Sequence, residues 1–397
     1  MDLLSGGIDP QSMFVSAVQQ SQQMEQLANT ALSQGMDLYQ NKKYTEAAEA
    51  FRRSVALSPT SPHAQTSADY MASAYIKTGR IDKAAEAYKT SMRLDPTSDA
   101  PVVKLANLYF AEGRHQEALM QYEKAVRLNP SANNYFSLGQ THLAMGQYHQ
   151  AESAFSRVQR MEPGSPNGSY GLGQAYNKLE RYDDAVLQFE AAIEKDDSFF
   201  SAHAELGYTY ADMGRMDEAQ ELVAFLEEND ADLADTLSRY MYKVDPPQIM
   251  FASSSSTFPK SLPMRTPVAA LDSYLANANA VQTFTMEFQF SKKMDRESVE
   301  SLYNWSITRA NGDSLTEKYN FGFSLPDTEV IPKAYPEHVY YDYKNLTAKL
   351  TFSVQQNATA DGTIDPSHIS FKFSGEDIYG NKMNADCDEY SGFSGVA

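Results

Sequence analysis

Few residues in this 397-residue chain have the types and spacing that chemistry demands. The seven histidines are scattered. His142 and His203 fall on helical patterns, where a packed imidazole is the ordinary outcome. The single cysteine, Cys387, stands among Asp386, Asp388 and Glu389, whose charge disfavours the thiolate that a nucleophile needs. Those carboxylates have the oxygen chemistry of a Ca²⁺ site without the spacing of a recognised loop, so a solvated turn is the reading for them. No Walker motif and no G-x-S-x-G occurs, and Gly171-Leu172-Gly173 continues to Tyr176 rather than to a third glycine. No catalytic, cofactor-binding or metal-binding set emerges. What recurs is amide chemistry. Asn107, Gln140 and Gln174 follow one another at steps of 33 and 34 residues. An amide both donates and accepts, so such a ladder can hold the backbone of an extended peptide without fixing its sequence; it can equally bond to itself and to water.

That spacing belongs to the way the chain is built. Residues 99–132 read as two short amphipathic helices around a Gly113-Arg114 turn, closed by Pro130. Leu105, Tyr109, Tyr122 and Ala125 carry the apolar face, and Ala106 and Ala118 are small where the helices cross. One hairpin cannot bury its own apolar face and needs neighbours of the same kind. They are present. Ala47, Ala84, Ala118, Ala151, Ala185 and Ala219 stand in phase, each followed four residues on by Phe51, Tyr88, Tyr122, Phe155, Phe189 and Val223. The small position on the first helix is Gly35, Ala72, Ala106, Gly139, Gly173 and Gly207. These anchors resemble the tetratricopeptide repeat family, in six copies over roughly residues 28 to 231. Three extra residues precede the second repeat, the last two repeats lose the closing proline, and Lys42 and Glu180 stand where glycine usually turns the chain.

The resemblance implies a right-handed α-solenoid of helix hairpins whose first helices line a concave groove. Phase then places residues in that groove. Asn107, Gln140, Gln174 and Tyr208 share one position, Phe136 and Tyr170 a second, Asn133 and Asn167 a third, while Phe110, Asn177 and Lys178 lie one turn further on. In this reading the amides hold a partner's backbone, and Phe136, Tyr170 and Tyr208 bury its side chains. Members of the family that grip a terminal carboxylate do so with a basic clamp. Besides Lys77 in repeat two, Lys178 is the only clear positive charge among these groove positions, so a terminal carboxylate is not the expected ligand.

Four segments are expected. Residues 1–27 form an arm and a capping helix, with Phe14, Ala17, Val18, Ser21 and Met24 on one stripe. Residues 28–244 hold the repeats and a terminal helix with Leu233, Leu237 and Tyr240 turned inward. Residues 245–280 are a Ser/Pro-rich linker, or an edge strand (Ile249, Phe251) and a short helix at Val268–Leu275. From 281 to 397 the apolar period becomes two: Phe284, Met286, Phe288 and Phe290; Trp305 and Ile307; Val339, Tyr341 and Tyr343; Leu350, Phe352 and Val354; Ile369, Phe371 and Phe373. FSKKMDRESVESLYNWSI at 290–307 and SGEDIYGNKM at 374–383 resemble the bacterial immunoglobulin-like domains of surface and filament proteins. That likeness implies an antiparallel Ig-like β-sandwich.

A net charge of −19 repels phosphate backbones and disfavours nucleic acid as a partner. No apolar run approaches the ~18 residues of a membrane span. Asp2 and Asp9 precede the first positive charge, Lys42, so the N-terminus does not read as a cleaved secretory signal. Sequons at Asn167, Asn304, Asn345 and Asn357 matter only in an exported protein. The expectation is a non-enzymatic interaction scaffold without cofactors. Its sharper form is a subunit of an extracellular filament or cell-surface appendage, exported without a cleaved signal, whose partners are copies of itself or a filament core. The alternative is an adaptor in the cytoplasm or envelope that binds an extended peptide in the groove.

Overall fold

The structure, a computed structural model, describes residues 10–254 and 258–391, with the side chains of the first helix described from residue 18. The arm expected over residues 1–9 lies outside the described residues. The chain divides into two compact units, a helical one that runs to Met213 and takes in Glu218–Asp235, and a second made of Gly214–Asp217 and the chain from Thr236 onward.

In the helical unit twelve helices pair into six hairpins: α1 (Pro10–Gln40) with α2 (Tyr44–Leu57), α3 (Ala64–Lys77) with α4 (Ile81–Leu94), α5 (Ala100–Ala111) with α6 (His115–Leu128), α7 (Ala132–Ala144) with α8 (Tyr148–Met161), α9 (Pro166–Lys178) with α10 (Tyr182–Lys195), and α11 (Phe200–Asp212) with α12 (Met216–Asn229). From α1 to α11 each helix packs on the next, the arrangement of a solenoid. The helix expected before the first repeat runs without a break into that repeat as the single helix α1, and Val18, Ser21 and Met24 on its stripe are exposed.

The six in-phase alanines are fully buried, because they sit where helices cross. Where the second helix carries phenylalanine, the crossing leaves no room for a side chain on the first. A Cβ added to Gly35, Gly139 or Gly173 would lie 2.6 Å from the ring of Phe51, Phe155 or Phe189, respectively. Repeats with tyrosine at that place carry alanine instead: Ala72 with Tyr88 and Ala106 with Tyr122. The missing turn glycines change nothing in the turn. Lys42 and Glu180 adopt φ of 60° and 58°, beside 70–75° for Gly79, Gly113, Gly146 and Gly214. In the first five hairpins the next amide (Lys43, Arg80, Arg114, Gln147 or Arg181) donates to the carbonyl five residues back at 2.9–3.0 Å, which closes the helix end.

The helix α13 (Ala231–Val244) buries Ala234, Leu237 and Met241, and its last turns belong to the second unit. There nine strands and one short helix are described: β1 (Ile249–Ser253), β2 (Thr266–Pro267), β3 (Val281–Phe290), α14 (Arg296–Glu300), β4 (Trp305–Arg309), β5 (His338–Asp342), β6 (Thr347–Gln355), β7 (Thr363–Ile364), β8 (Ile369–Phe373) and β9 (Glu389–Tyr390). All strand pairs are antiparallel, in sheets ordered β1-β3-β6-β5 and β4-β8-β9, with a small β2-β7 pair. The period-two residues of both larger sheets face one core. Phe288 meets Trp305 and Phe371 at 5.0 and 5.7 Å between ring centres, and Phe352 meets Phe371 at 5.2 Å.

Local expectations change in three places. Val268–Leu275 is not one helix but two 3₁₀ turns, Val268–Ala270 and Ser273–Ala276, because the Asp272 side chain accepts from Tyr274 N at 2.8 Å and restarts the chain. A register shift between Ile249 and Phe251 breaks the alternation of β1 and leaves Phe251 exposed. Tyr343 is exposed beyond the end of β5, where Asp342 accepts from Lys344 N and turns the chain. The Ser/Pro-rich stretch joins the β core, since Phe258, Val268 and Leu275 are buried in it.

The two motifs of the β unit meet in one buried ion pair. Lys292 Nζ lies 3.0 Å from Asp377 Oδ2, with both side chains almost fully enclosed. Lys292 also donates to the Asp245 carbonyl at 2.5 Å and faces the Tyr242 and Tyr379 rings. Burial pushes the Asp377 carboxyl up, but hydrogen bonds from the side chain and backbone of Asn381, from Lys292 and from Tyr379 N bring it below the usual carboxylate range. Asn381 also donates to the Lys243 carbonyl, which ties the end of α13 to the same point.

Two substitutions read these contacts. Gly139→Ala forces a methyl into Phe155 and is expected to destabilise the helical unit by about 1–3 kcal/mol, while Gly164→Ala, with nothing within 4 Å, leaves it unchanged. Lys292→Ala strands a buried carboxylate and is expected to remove about 3 kcal/mol from the β unit. Urea unfolding followed by circular dichroism and Trp305 fluorescence checks both.

Candidate functional site

The amide ladder exists from the fourth repeat onward. Gln140 Nε2 on α7 donates to Gln174 Oε1 on α9 at 2.9 Å. Gln174 Nε2 in turn donates to the Tyr170 hydroxyl and to Glu205 Oε1 on α11, both at 3.1 Å. Three successive first helices are thus joined by one directed hydrogen-bond chain that ends on a carboxylate. One turn along, Asn177 Nδ2 donates to Thr209 Oγ1 at 2.7 Å.

The other sequence-predicted residues take different places. Asn107 does not reach Gln140; its Oδ1 accepts from the Tyr122 hydroxyl of its own hairpin. Phe110 is half-buried, edge-on to His115 at 5.1 Å. Phe136 leans on Phe155 at 5.5 Å, and Tyr170 on Phe199 at 4.8 Å, so each ring serves the core on one side and stays half-open on the other. Tyr208 is half-buried, and Asn133, Asn167 and Lys178 are exposed.

Glu205 was not among the expected groove residues, because its helix position in the other repeats carries no acid that would mark it. Burial raises its carboxyl above the ordinary range, against the opposing effects of the Gln174 hydrogen bond and the Lys178 charge. Burial, and then the charge of Glu205, push the Tyr170 and Tyr208 phenols upward. In repeat three, burial pushes Tyr122 up to about 12.

Among the described residues of the β unit, Asp365, Ser367 and His368 form a cluster with the residue types of a hydrolase triad. Its wiring is different. His368 Nδ1 lies 2.7 Å from Asp365 Oδ2, but Nε2 faces the Thr316 carbonyl at 2.9 Å, where a triad would place the nucleophile. Ser367 Oγ donates to Asp365 Oδ1 at 2.8 Å, and Asp365 Oδ2 also accepts from Asn320 N. With His368 and Asp365 fully enclosed, the cluster pins the 315–322 loop, whose Asn320 and Phe321 adopt positive φ. Cys387 is half-buried, Asp388 pairs with Lys372 at 3.1 Å, and Glu389 accepts from the Ser370 hydroxyl.

A buried acid with a raised pKa favours the native state only while it is protonated. That contribution is complete below the unfolded value of about 4.3 and is lost as pH rises through the folded value. Glu205→Gln keeps the acceptor for Gln174 and removes the charge. The variant is expected to melt higher than the parent near pH 7, with the gap closing toward about pH 4. Equal melting curves at neutral pH would contradict this account of Glu205.

Comparisons with known proteins agree with the helical unit. Tetratricopeptide repeat family models match residues 100–161, 136–198 and 178–234. A bacterial transcriptional activator domain model matches residues 13–129, the span of α1 to α6. No curated protein matches. Among solved structures, a tetratricopeptide repeat protein from Parabacteroides merdae is 16% identical, covering 54% of this chain and 86% of its own, with a TM-score of 0.48. PilF from Pseudomonas aeruginosa is 16% identical over 54% of this chain and 98% of its own, with a TM-score of 0.41. YrrB, described as a TPR protein with an unusual peptide-binding site, is 20% identical over 48% of this chain and 99% of its own, with a TM-score of 0.38. The helical unit of this chain is a tetratricopeptide repeat array, a scaffold for protein interaction.

Proposed function

We propose that this chain is a non-enzymatic scaffold that holds an extended segment of a partner protein along the first helices of repeats four to six. The observation that carries this reading is the chain from Gln140 through Gln174 to Glu205. It fixes the orientation of three polar side chains across three helices without using them up. Gln140 Oε1, Glu205 Oε2 and the side chains of Asn133 and Asn167 have no hydrogen-bond partner among the described residues. Oriented amides lose little freedom when a backbone docks, which favours binding. Phe136, Tyr170 and Tyr208, each half-open beside the ladder, supply apolar contact.

The appendage reading has no observation behind it. A filament built by strand exchange needs an open sheet edge. Here Tyr341 N of β5 donates to Glu300 Oε1 on α14, Ile307 N of β4 to the Ala334 carbonyl, and Ile249 N of β1 to the Cys387 carbonyl.

A random ten-residue peptide library displayed on phage and panned against the full chain tests the groove. Recovered peptides are expected to lose at least tenfold in affinity, read by fluorescence anisotropy, when Asn107, Gln140 and Gln174 are replaced together by Ala. The Asn107→Ala variant alone should have little effect, because that amide is taken by Tyr122. Unchanged binding to the triple variant would place the interaction elsewhere.

A further inference from the structure

The ladder ends on an acid that has no ion-pair partner among the described residues. Glu205 makes one hydrogen bond, from Gln174 to Oε1, and among the described residues no cationic side chain comes within 4 Å of it. Lys178, exposed on α9, acts on it only through its field and forms no ion pair. A half-buried carboxylate without a cation is an expensive residue to keep, since a glutamine would accept the same hydrogen bond at no charge penalty. Its surroundings match a missing cation. Tyr170 shares the Gln174 amide with Glu205, and Tyr208 is one turn away on α11, near enough for both phenols to feel the carboxylate. An acid beside aromatic rings is the arrangement that receives an ammonium or guanidinium group.

We propose that Glu205, with Tyr170 and Tyr208, is the seat for a lysine or arginine side chain of the polypeptide held along the first helices. This rests on the scaffold reading above and adds the chemistry of the partner: an extended segment with a basic residue at the place that meets α11. The net charge of −19 acts in the same sense, drawing basic segments and repelling acidic ones. The seat is the reverse of a carboxylate clamp. The partner's cation supplies the ion pair that Glu205 lacks, and the ladder from Gln140 sets how far along the segment that cation sits.

The same phage library, panned in parallel against the full chain and its Glu205→Gln variant, decides the matter. The substitution removes a charge that burial disfavours, so the variant is expected to fold at least as well as the parent. Peptides recovered on the parent should be enriched about tenfold in Lys and Arg at one position. On Glu205→Gln that enrichment should vanish while peptides are still recovered. Binders without a basic preference, or the same preference on both proteins, overturn the seat and leave the scaffold reading standing. Failure to recover any peptide, or binders indifferent to the triple alanine variant, overturns the scaffold reading and the seat together.

Discussion

Five of the six hairpins set a ring of the second helix at the crossing with a first-helix residue that has little or no side chain; the sixth has Val223 there. The ring and the residue beneath it are chosen together. Phenylalanine packs over glycine with no room for a methyl, while tyrosine is paired with alanine. A buried phenol needs a partner for its hydroxyl, and in repeat three it finds one at the groove position of its own hairpin, where Tyr122 bonds Asn107. A phenylalanine makes no such claim. In repeats four and five, where Phe155 and Phe189 take that place, the groove amides Gln140 and Gln174 are left to join each other. A packing choice in the core thus decides where the ladder begins.

The ladder carries its own constraint. Half-buried amides are tolerated only when bonded, and once bonded they have a direction. Gln140 donates to Gln174, which donates to Glu205, so the polarity of the whole chain is set by an acceptor that cannot donate while ionised. A glutamine at 205 would satisfy the geometry but could turn around. The carboxylate forbids the reverse orientation and leaves Gln140 Oε1 as the unpartnered acceptor at the far end. Desolvation of Glu205 is the disadvantage that accompanies this fixed order.

The repeat was legible because it is periodic: buried alanines, rings and small crossing residues return in phase, and a wrong alignment would break all of them at once. The strands were legible for the same reason at period two. What the sequence hid was set by single contacts. Nothing in the pattern marks that Asp272 restarts the chain after Val268–Ala270, or that β1 shifts register after Ile249. The groove residues were half legible. Phase put Gln140 and Gln174 on one face, but it could not tell that Asn107, at the same phase, is taken by a tyrosine fifteen residues away. Glu205 was missed because its neighbours in phase are not acidic. The two motifs around residues 290 and 377 were visible as separate strings; that they are the two ends of one buried ion pair is a fact of three dimensions.

That ion pair bears on what the β unit can do. A hydrophobic pair in its place could be as stable, but it would accept many arrangements. Lys292 accepts few: its ammonium must meet Asp377, the Asp245 carbonyl and two tyrosine rings together. The segment after α13 and the turn after β8 are thereby held in one register. Glu300, Ala334 and Cys387 each take one outward amide, of β5, β4 and β1 respectively. The rings that the β unit leaves exposed at its surface include Tyr303 against Tyr335 at 5.7 Å and Tyr340 on β5.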